Sequence, residues 1–180
     1  EEAVQSILAQ SFEDFEFIIV NDGSADGSEE VLEQFAAQDD RIRLVHQENK
    51  GLIASLNRGV DRAQGQYIAR MDGDDISHPE RFERQVQFLR DHSEVGVVGT
   101  KVMYVDADGQ VTGTWPLPTD PDVIAWRLLF NTCLAHPSIM ARRALLEELG
   151  GYAEWARYIE DYELWTRAAR RSRLANMSDT

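Results

Sequence analysis

Hydrophobic positions follow two different periods along the first third of the chain. Two short apolar runs, "FEFIIV" beginning at Phe15 and "IRLVHQ" beginning at Ile42, have the length and the β-branched composition of buried strands. The segment between them, "DGSEEVLEQFAAQ", starts with capping and acidic residues and then repeats its apolar residues at helical spacing. The pattern therefore predicts a strand, a helix and a second strand in that order.

The same alternation continues after the second strand. "GLIASLNRGVDRAQG" predicts a helix with Leu52, Leu56 and Val60 on its apolar face and Gly65 at its end, and "QYIARM" predicts a third strand. Short strands that alternate with helices of about a dozen residues favour a mostly parallel sheet with right-handed crossovers. We therefore expect an α/β domain.

The second half of the chain has a less regular pattern. We expect a helix beginning near Pro79, and then strands in "VGVVGTKVMYVDADGQVTGTW" joined by a hairpin turn at "DADG". Further helices are predicted around "PDVIAWRLLF", in "RRALLEELGGY" and in "IEDYELWTRAARR", with a strand at "HPSIMA". No repeat or linker divides the 180 residues, and 43% hydrophobic residues can form one core.

Composition excludes several classes of function. The formal charge is −14, from 32 acidic and 18 basic residues without a basic cluster, which argues against nucleic-acid binding. A small phosphorylated ligand remains compatible, because one divalent cation reverses the local field at an acidic site. The single cysteine, Cys133, excludes an internal disulfide framework and is predicted to be a core residue. No apolar run reaches the length of a membrane span.

An acidic cluster follows the third predicted strand in "YIARMDGDD". Asp72 and Asp74 flank Gly73, and two carboxylates at this spacing can converge on Mg²⁺ or Mn²⁺ when the backbone bends. The first strand ends at Asp22, so both acidic positions fall at the carboxyl ends of strands, where ligands of such sheets bind. The alternative is a polar turn that caps the following helix.

Two other interpretations of the cluster are weaker. A helix-loop-helix calcium site would require a ligand at Ile76 and a glycine at Ser77. An aspartyl phosphatase would use the first carboxylate as a nucleophile and needs a supporting lysine, but only Lys101 follows the cluster.

Five segments in order carry a resemblance to a known family. "FIIVNDGSADGS", "ENKGLIASLNRG", "GQYIARMDGDD", "AHPSIMARRALLEELGGY" and "EDYELWTRAA" resemble the inverting family 2 glycosyltransferases of the GT-A fold, over essentially the whole chain. The resemblance implies a Rossmann-like, mixed but mostly parallel sheet flanked by helices. It also implies one catalytic domain over residues 1–180, with a nucleotide-binding half at about 1–100 and an acceptor-side half at about 101–180.

The resemblance implies roles for residues on the donor side. Asp22 matches the Asp that contacts the nucleotide base, and Lys50 lies where the family also meets the nucleotide. "DGD" matches the DxD motif, in which Asp72 lies near the ribose and Asp74 binds the metal, with Asp72 as a further ligand. From spacing alone, the favoured interpretation of "NDGS" is a strand-to-helix turn in which Asp22 accepts backbone N–H bonds.

The resemblance also implies roles on the acceptor side. Asp161, in the pair Glu160-Asp161, matches the catalytic base, which would take a proton from the acceptor hydroxyl. His136 and Glu160 are acceptor-side candidates, although a satisfied, partly buried histidine is the favoured interpretation of His136. Trp165 could form a sugar-stacking wall, but a core position is favoured. The pair at 160–161 is otherwise a helix N-terminus with acidic first-turn residues.

We therefore expect a metal-dependent, inverting transferase that moves a sugar from a UDP- or dTDP-linked donor to a carbohydrate or lipid-linked hydroxyl acceptor, using Mn²⁺ or Mg²⁺. The rival is a nucleotide- and metal-binding module without turnover. Relatives usually begin with a further strand and loop and continue past "LANMSDT", so the sequence is expected to be a fragment with an exposed sheet edge. We expect a cytoplasmic location, with membrane association only through segments outside this chain.

Overall fold

The computed structural model describes residues 1–178 of the chain. Seven α-helices are present in this part of the chain: α1 (Glu2–Leu8), α2 (Ser28–Ala36), α3 (Leu52–Arg62), α4 (Arg81–Asp91), α5 (Pro121–Arg127), α6 (Arg143–Leu149) and α7 (Glu160–Ala168). Eight strands accompany them: β1 (Phe17–Asn21), β2 (Ile42–His46), β3 (Tyr67–Ala69), β4 (Val95–Gly99), β5 (Met103–Val105), β6 (Val111–Thr114), β7 (Met140–Arg142) and β8 (Arg173–Asn176).

The strands form three groups. β1 and β2 pair in parallel, as their helical crossover requires. The central sheet has the order β3-β7-β4-β8, in which β7 runs antiparallel to both neighbours and β4 runs parallel to β8. β5 and β6 form the hairpin predicted at "DADG". The expected α/β fold, a mixed sheet flanked by helices, is confirmed.

The central sheet has a hydrophobic cluster on each face. One cluster packs Val97 and Ala141 against α5, α6 and α7, with Ile124 and Leu164 fully buried. The other packs Val98 and Met140 against α1 and α4. Cys133 is 1% exposed, which confirms its prediction as a core residue. The sheet is therefore the middle of three layers.

The β1–β2 pair is packed more loosely. Neither α2 nor α3 contains a buried residue, although the apolar face predicted for α2 is half-buried. Within residues 1–178, no strand pairs with the second edge of β1 or of β3, so the two sheets stay separate. Asp22, which follows β1, lies in this more loosely packed part of the fold.

Several local predictions differ from the structure. Leu52 is 49% exposed because it starts α3 at the surface, and the helix ends at Arg62 rather than at Gly65. β8 was missed, because its four residues carry too short an apolar pattern to stand out from the preceding helix. None of the helices in residues 1–178 combines the length and apolarity needed to cross a bilayer.

Candidate functional site

Asp22 follows β1 and connects two loops at the carboxyl ends of the strands. Its carboxylate accepts hydrogen bonds from the Gln47 side chain at 2.7 Å and from the backbone N–H groups of Lys50 and Gly51, each at 2.8 Å. Gly51 has φ +87°, a left-handed value that favours glycine and turns these N–H groups toward Asp22. The donors come from the loop before α3, not from the turn that contains Asp22.

These contacts determine the charge state of Asp22. Burial alone would raise the pKa of its carboxyl, but the hydrogen bonds from Gln47, Lys50 and Gly51 outweigh burial and lower the pKa below its ordinary value. Lys50 uses its backbone for this contact, while its side chain lies exposed. A carboxylate that is ionised and fixed in this way can accept further hydrogen bonds from a ligand.

The "DGD" segment forms a turn after β3. Asp74 is exposed and Asp75 is half-buried. Burial raises the pKa of Asp75, and the charges of Asp72 and Asp74 raise it further. A Cβ at Gly73 would meet no atom within 4 Å, and its φ is not left-handed, so the backbone bend does not depend on glycine in this structure, contrary to the sequence argument.

Asp72 is held by an arginine from the preceding strand end. Arg70 donates to both carboxylate oxygens of Asp72, from Nη1 at 2.7 Å and from Nη2. The Arg70 side chain is 10% exposed, whereas that of Asp72 is 40% exposed. From the sequence, pairing with a nearby carboxylate is the more economical role for Arg70, and contact with a phosphate is the alternative. In the structure Arg70 neutralises Asp72, the first residue of "DGD".

Buried polar groups fix the backbone beside this pair. Arg81, at the start of α4, donates to the carbonyl oxygens of Arg70 and Ile139, and its Nε donates to Gln85. Burial lowers the pKa of Arg81 to about 10, so it remains a cation at neutral pH. The "DGD" turn therefore begins from a rigid point of the central sheet.

The chemistry of the carboxylates fits a divalent cation, but their geometry is not that of a completed site. Oxygen ligands are those that Mg²⁺ and Mn²⁺ prefer, and Asp72 and Asp74 both reach solvent. Within residues 1–178, three potential ligand atoms lie within 4.8 Å of one another only in an exposed group formed by Glu29, Glu33 and His46. Asp72, Asp74 and Asp75 therefore do not converge on a point as a group of three.

Asp161 lies in the first turn of α7 and is half-buried. Burial raises the pKa of its carboxyl, and the neighbouring Glu160 charge raises it further, while the Tyr162 backbone N–H donates to it and opposes the shift. A raised pKa makes the carboxylate a better proton acceptor once it is ionised.

His136 is a buried, neutral residue that contacts Tyr152 and Trp165. Its Nε2 lies 2.8 Å from the Tyr152 hydroxyl, and burial, assisted by the Arg70 charge, lowers its pKa to about 3. This agrees with the favoured interpretation of a satisfied, partly buried histidine. Trp165 is fully buried and packs edge-on against His136, so the alternative of a sugar-stacking wall is wrong.

Charges near the "DGD" turn affect the pKa values of residues that lie much later in the sequence. The positive charge of Arg70 adds to the lowering of the pKa of His136 by burial, and it partly opposes the raised pKa of Tyr152 and of Asp161. Burial raises the pKa of Tyr152, and the negative charges of Asp161, Glu160 and Asp72 raise it further. Candidates separated by about 90 positions in the sequence, from 70 to 161, therefore share one electrostatic environment.

The loop before α7 is attached to α3 by a residue that sequence reasoning missed. The Asn57 side chain donates to the Tyr152 carbonyl at 2.9 Å and accepts from the Tyr152 N–H at 2.8 Å. A Cβ at Gly151 would lie 2.5 Å from Asn57 Oδ1, and its φ is +71°, so glycine is required there. In the sequence, the pair Gly150-Gly151 indicates a tight backbone approach at this point, although it does not identify Asn57 as the partner.

Comparisons of sequence support the resemblance. The model of glycosyl transferase family 2 matches residues 1–150. EpsE of Bacillus subtilis (strain 168) is 41% identical over 172 residues, which cover 92% of this chain and 60% of that protein. The O-antigen biosynthesis glycosyltransferase WbnJ of Escherichia coli is 31% identical over 166 residues, 92% of this chain and 64% of its own length. The chain thus spans less than two thirds of these relatives.

Two solved structures share the fold. The mannosyltransferase PcManGT of Pyrobaculum calidifontis, in complex with GDP-Man and Mn²⁺, has a TM-score of 0.74 and 20% identity, covering 99% of this chain and 50% of that one. TarS of S. aureus has a TM-score of 0.80 and 23% identity, covering 99% and 54%. Because the family model covers most of the sequence and the structural likeness extends along it, this chain belongs to glycosyl transferase family 2.

Proposed function

We propose that this chain is the catalytic part of an inverting, metal-dependent glycosyltransferase that moves a sugar from a nucleotide-diphosphate donor to a hydroxyl acceptor. The observation that carries the proposal is the placement of Asp161, a half-buried carboxyl of raised pKa, in the same electrostatic site as Asp72 and Arg70. Family membership gives the reaction class, and this geometry supports the assignment of residues to it.

On the donor side, Asp22 and the Lys50 loop would bind the nucleotide. Asp22 is ionised and held by three hydrogen bonds, and the exposed Lys50 lies beside it. Asp72 and Asp74 would hold Mn²⁺ or Mg²⁺, and a bound cation stabilises negative charge that develops on a departing diphosphate. This assignment divides the chain into a nucleotide half, about residues 1–100, and an acceptor half, about 101–180.

On the acceptor side, Asp161 would take the proton from the attacking hydroxyl. Its position in the first turn of a helix keeps the carboxylate fixed, and its partial burial excludes part of the surrounding water. A single displacement inverts the anomeric centre, so the chain needs no covalent nucleophile. Glu160 flanks the base, and His136, which is neutral and bonded to Tyr152, shapes the site without transferring a proton.

The acceptor is a carbohydrate or lipid-linked hydroxyl. The candidate nucleosides of the donor are uridine, thymidine and guanosine. Uridine and thymidine donors follow from the family resemblance. Guanosine is included because the structurally similar PcManGT was solved with GDP-Man. A cytoplasmic location of the active site fits these donors.

The test is release of nucleoside diphosphate from UDP-glucose, dTDP-glucose and GDP-mannose with Mn²⁺, with and without an added glycan mixture. We expect release from one donor, and a decrease of about 10²- to 10⁴-fold in Asp161→Asn. Glu148→Gln, an exposed carboxylate on α6, serves as the matched control and should retain activity. Nucleotide binding without any release would favour the non-catalytic module instead.

Phosphate release from a simple phosphomonoester that depends on Asp72 would favour the aspartyl phosphatase. We expect none, because Asp72 already accepts both Arg70 donors and Lys101 is exposed rather than placed beside it.

A further inference from the structure

The bidentate pair between Arg70 and Asp72 occupies the atoms that a cation would need. Nη1 of Arg70 donates to Oδ2 of Asp72 at 2.7 Å, and Nη2 donates to Oδ1. Paired N–H donors that match a carboxylate in this way are among the stronger ion pairs in proteins. Each oxygen keeps a further lone pair, but the positive guanidinium on the carboxylate opposes the approach of a cation to the same group.

The backbone of Arg70 is fixed, but its guanidinium is incompletely bonded. The Arg70 N–H donates to the Ile139 carbonyl at 3.0 Å, and Arg81 donates to the Arg70 carbonyl at 2.6 Å. In contrast, Nε of Arg70 is buried and has no hydrogen-bond partner within the described chain. A buried donor without a partner is costly, so a rotation of the guanidinium that satisfies Nε is favoured when an acceptor is available.

The carboxylates at positions 72, 74 and 75 do not form a ready-made group of three ligands. The ligand atoms of Asp72, Asp74 and Asp75 are not grouped within 4.8 Å, which is the spacing that the Glu29 group does reach within residues 1–178. Asp72 points its oxygens at Arg70 instead. Binding a cation at "DGD" therefore includes the cost of placing it beside Arg70 or of moving Arg70 away from Asp72.

A diphosphate can remove this cost. The guanidinium fork matches phosphate as well as carboxylate, so an incoming diphosphate can accept the donors that Asp72 releases. We infer that Arg70 couples the binding of the cation to the binding of the diphosphate, by holding Asp72 in the free protein and turning to the phosphates when the cation binds Asp72. This inference rests on the proposed function, because it concerns the same cation site.

The coupling is reciprocal and can be measured. If the cation strengthens nucleotide binding by some factor, the nucleotide strengthens cation binding by the same factor, and typical factors are about 5- to 150-fold. Removing Arg70 frees Asp72 for the cation and removes the donors for the diphosphate. The cation alone should then bind more tightly, and the coupling should decrease.

The first experiment titrates Mn²⁺ alone into the chain and counts free ion by electron paramagnetic resonance. We expect Arg70→Gln to bind Mn²⁺ at least about fivefold more tightly than the unchanged chain. Arg143→Gln removes one equivalent positive charge from an exposed pair with Glu147 and should change the affinity by less than about twofold. Equal or weaker binding by Arg70→Gln, compared with Arg143→Gln, would overturn the inference.

The second experiment titrates UDP and GDP, each with and without Mn²⁺, into the same variants. We expect the coupling factor of the unchanged chain to decrease at least about fivefold in Arg70→Gln. An unchanged factor in that variant would refute the role of Arg70. If neither nucleotide binds, the proposed function fails for these donors, while the Mn²⁺ titration still decides whether Arg70 competes for Asp72.

Arg70→Lys protects the test against a folding defect. Lysine keeps the positive charge but not the fork that engages both oxygens, so Mn²⁺ alone should bind with an affinity between those of the unchanged chain and Arg70→Gln. Thermal unfolding of each variant identifies the ones that fold. If only the lysine variant folds, an Mn²⁺ affinity equal to that of the unchanged chain would count against the inference.

Discussion

The central sheet and the β1–β2 pair differ sharply in packing. The sheet β3-β7-β4-β8 has buried clusters on both faces, and several of its side chains have no exposed surface. The helices beside β1 and β2 have no buried residue, and β1 has a second edge without a strand partner in residues 1–178. Dense packing is therefore concentrated around the central sheet, next to Arg70, Asp72 and Asp161.

The difference in packing agrees with the functions proposed for the central sheet, which holds the candidate base and cation site, and for the β1–β2 pair, which holds the nucleotide-binding candidates. A catalytic base and a cation site need positions fixed to within a fraction of an ångström, whereas a region that binds a nucleotide can gain order from its ligand. Asp22 and Asn57 provide the polar links that organise the looser region, the first by joining two loops and the second by bonding Tyr152. These hydrogen bonds supplement the partly buried apolar contacts of α3 and β1.

The largest expected effect compares one leucine from each region. Leu134 is fully buried in the central cluster, so Leu134→Ala should lower the free energy of unfolding by about 2–5 kcal/mol. Leu32 on α2 is half-buried, and Leu32→Ala should cost about 1 kcal/mol. Urea unfolding with unchanged m-values measures both. Equal losses would break the comparison.

A smaller effect concerns the buried histidine of the densely packed region. The pKa of His136 is about 3 in the folded protein, against an ordinary value of 6.5, so between these values the unfolded chain binds a proton that the folded chain does not. The contribution of neutral His136 to the free energy of unfolding is complete above pH 6.5. It decreases as the pH falls from 6.5 toward 3, by at most about 1.4 kcal/mol per pH unit.

Replacing His136 should remove this dependence. Urea unfolding of His136→Gln between pH 4 and 7 should give a flatter profile than the unchanged chain, by about one proton. His92→Gln, an exposed histidine after α4, is the control and should leave the profile almost unchanged. A parallel profile for His136→Gln would show that the residue is not buried in its neutral form.

The smallest expected effect is a gain of stability in Asp161→Asn. Because the folded pKa of Asp161 is raised, the ionised group destabilises the fold above its ordinary pKa, and this cost is absent at lower pH, where the carboxyl is protonated. The difference in Tm should move in favour of the variant as the pH rises, reaching about 1–3 °C at neutral pH. Differential scanning calorimetry measures both Tm values. A Tm of Asp161→Asn that falls relative to that of the unchanged chain as the pH rises would contradict this prediction.

Local patterns were sufficient for most of the fold. Apolar runs and helical spacing predicted β1, β2, α2 and the hairpin, because each is specified within about a dozen neighbouring residues. The order β3-β7-β4-β8 and the strand β8 could not be read, since they depend on pairings between segments that are distant in the sequence.

The candidate site divides in the same way. Motifs predicted Asp22, Asp72, Asp74 and Asp161 as candidates, and their roles remain proposals. The sequence favours pairing of Arg70 with a nearby carboxylate without specifying Asp72, and it gives no indication that Asn57 bonds Tyr152, because nothing local specifies which partner a side chain selects. Trp165 had two interpretations in the sequence, because helical spacing alone does not distinguish a buried face from one that binds a ligand. Its full burial decides for the core position.

The central claim is that "DGD" holds a cation for a nucleotide diphosphate, and a calorimetric titration tests it most directly. UDP and GDP are titrated with Mn²⁺ and again with excess chelator, using the unchanged chain, Asp74→Ala and the exposed control Asp108→Ala. The account predicts that one nucleotide binds at a single site, that chelator or Asp74→Ala abolishes this binding, and that the control retains it. Binding that is unaffected by chelator and by Asp74→Ala would contradict it.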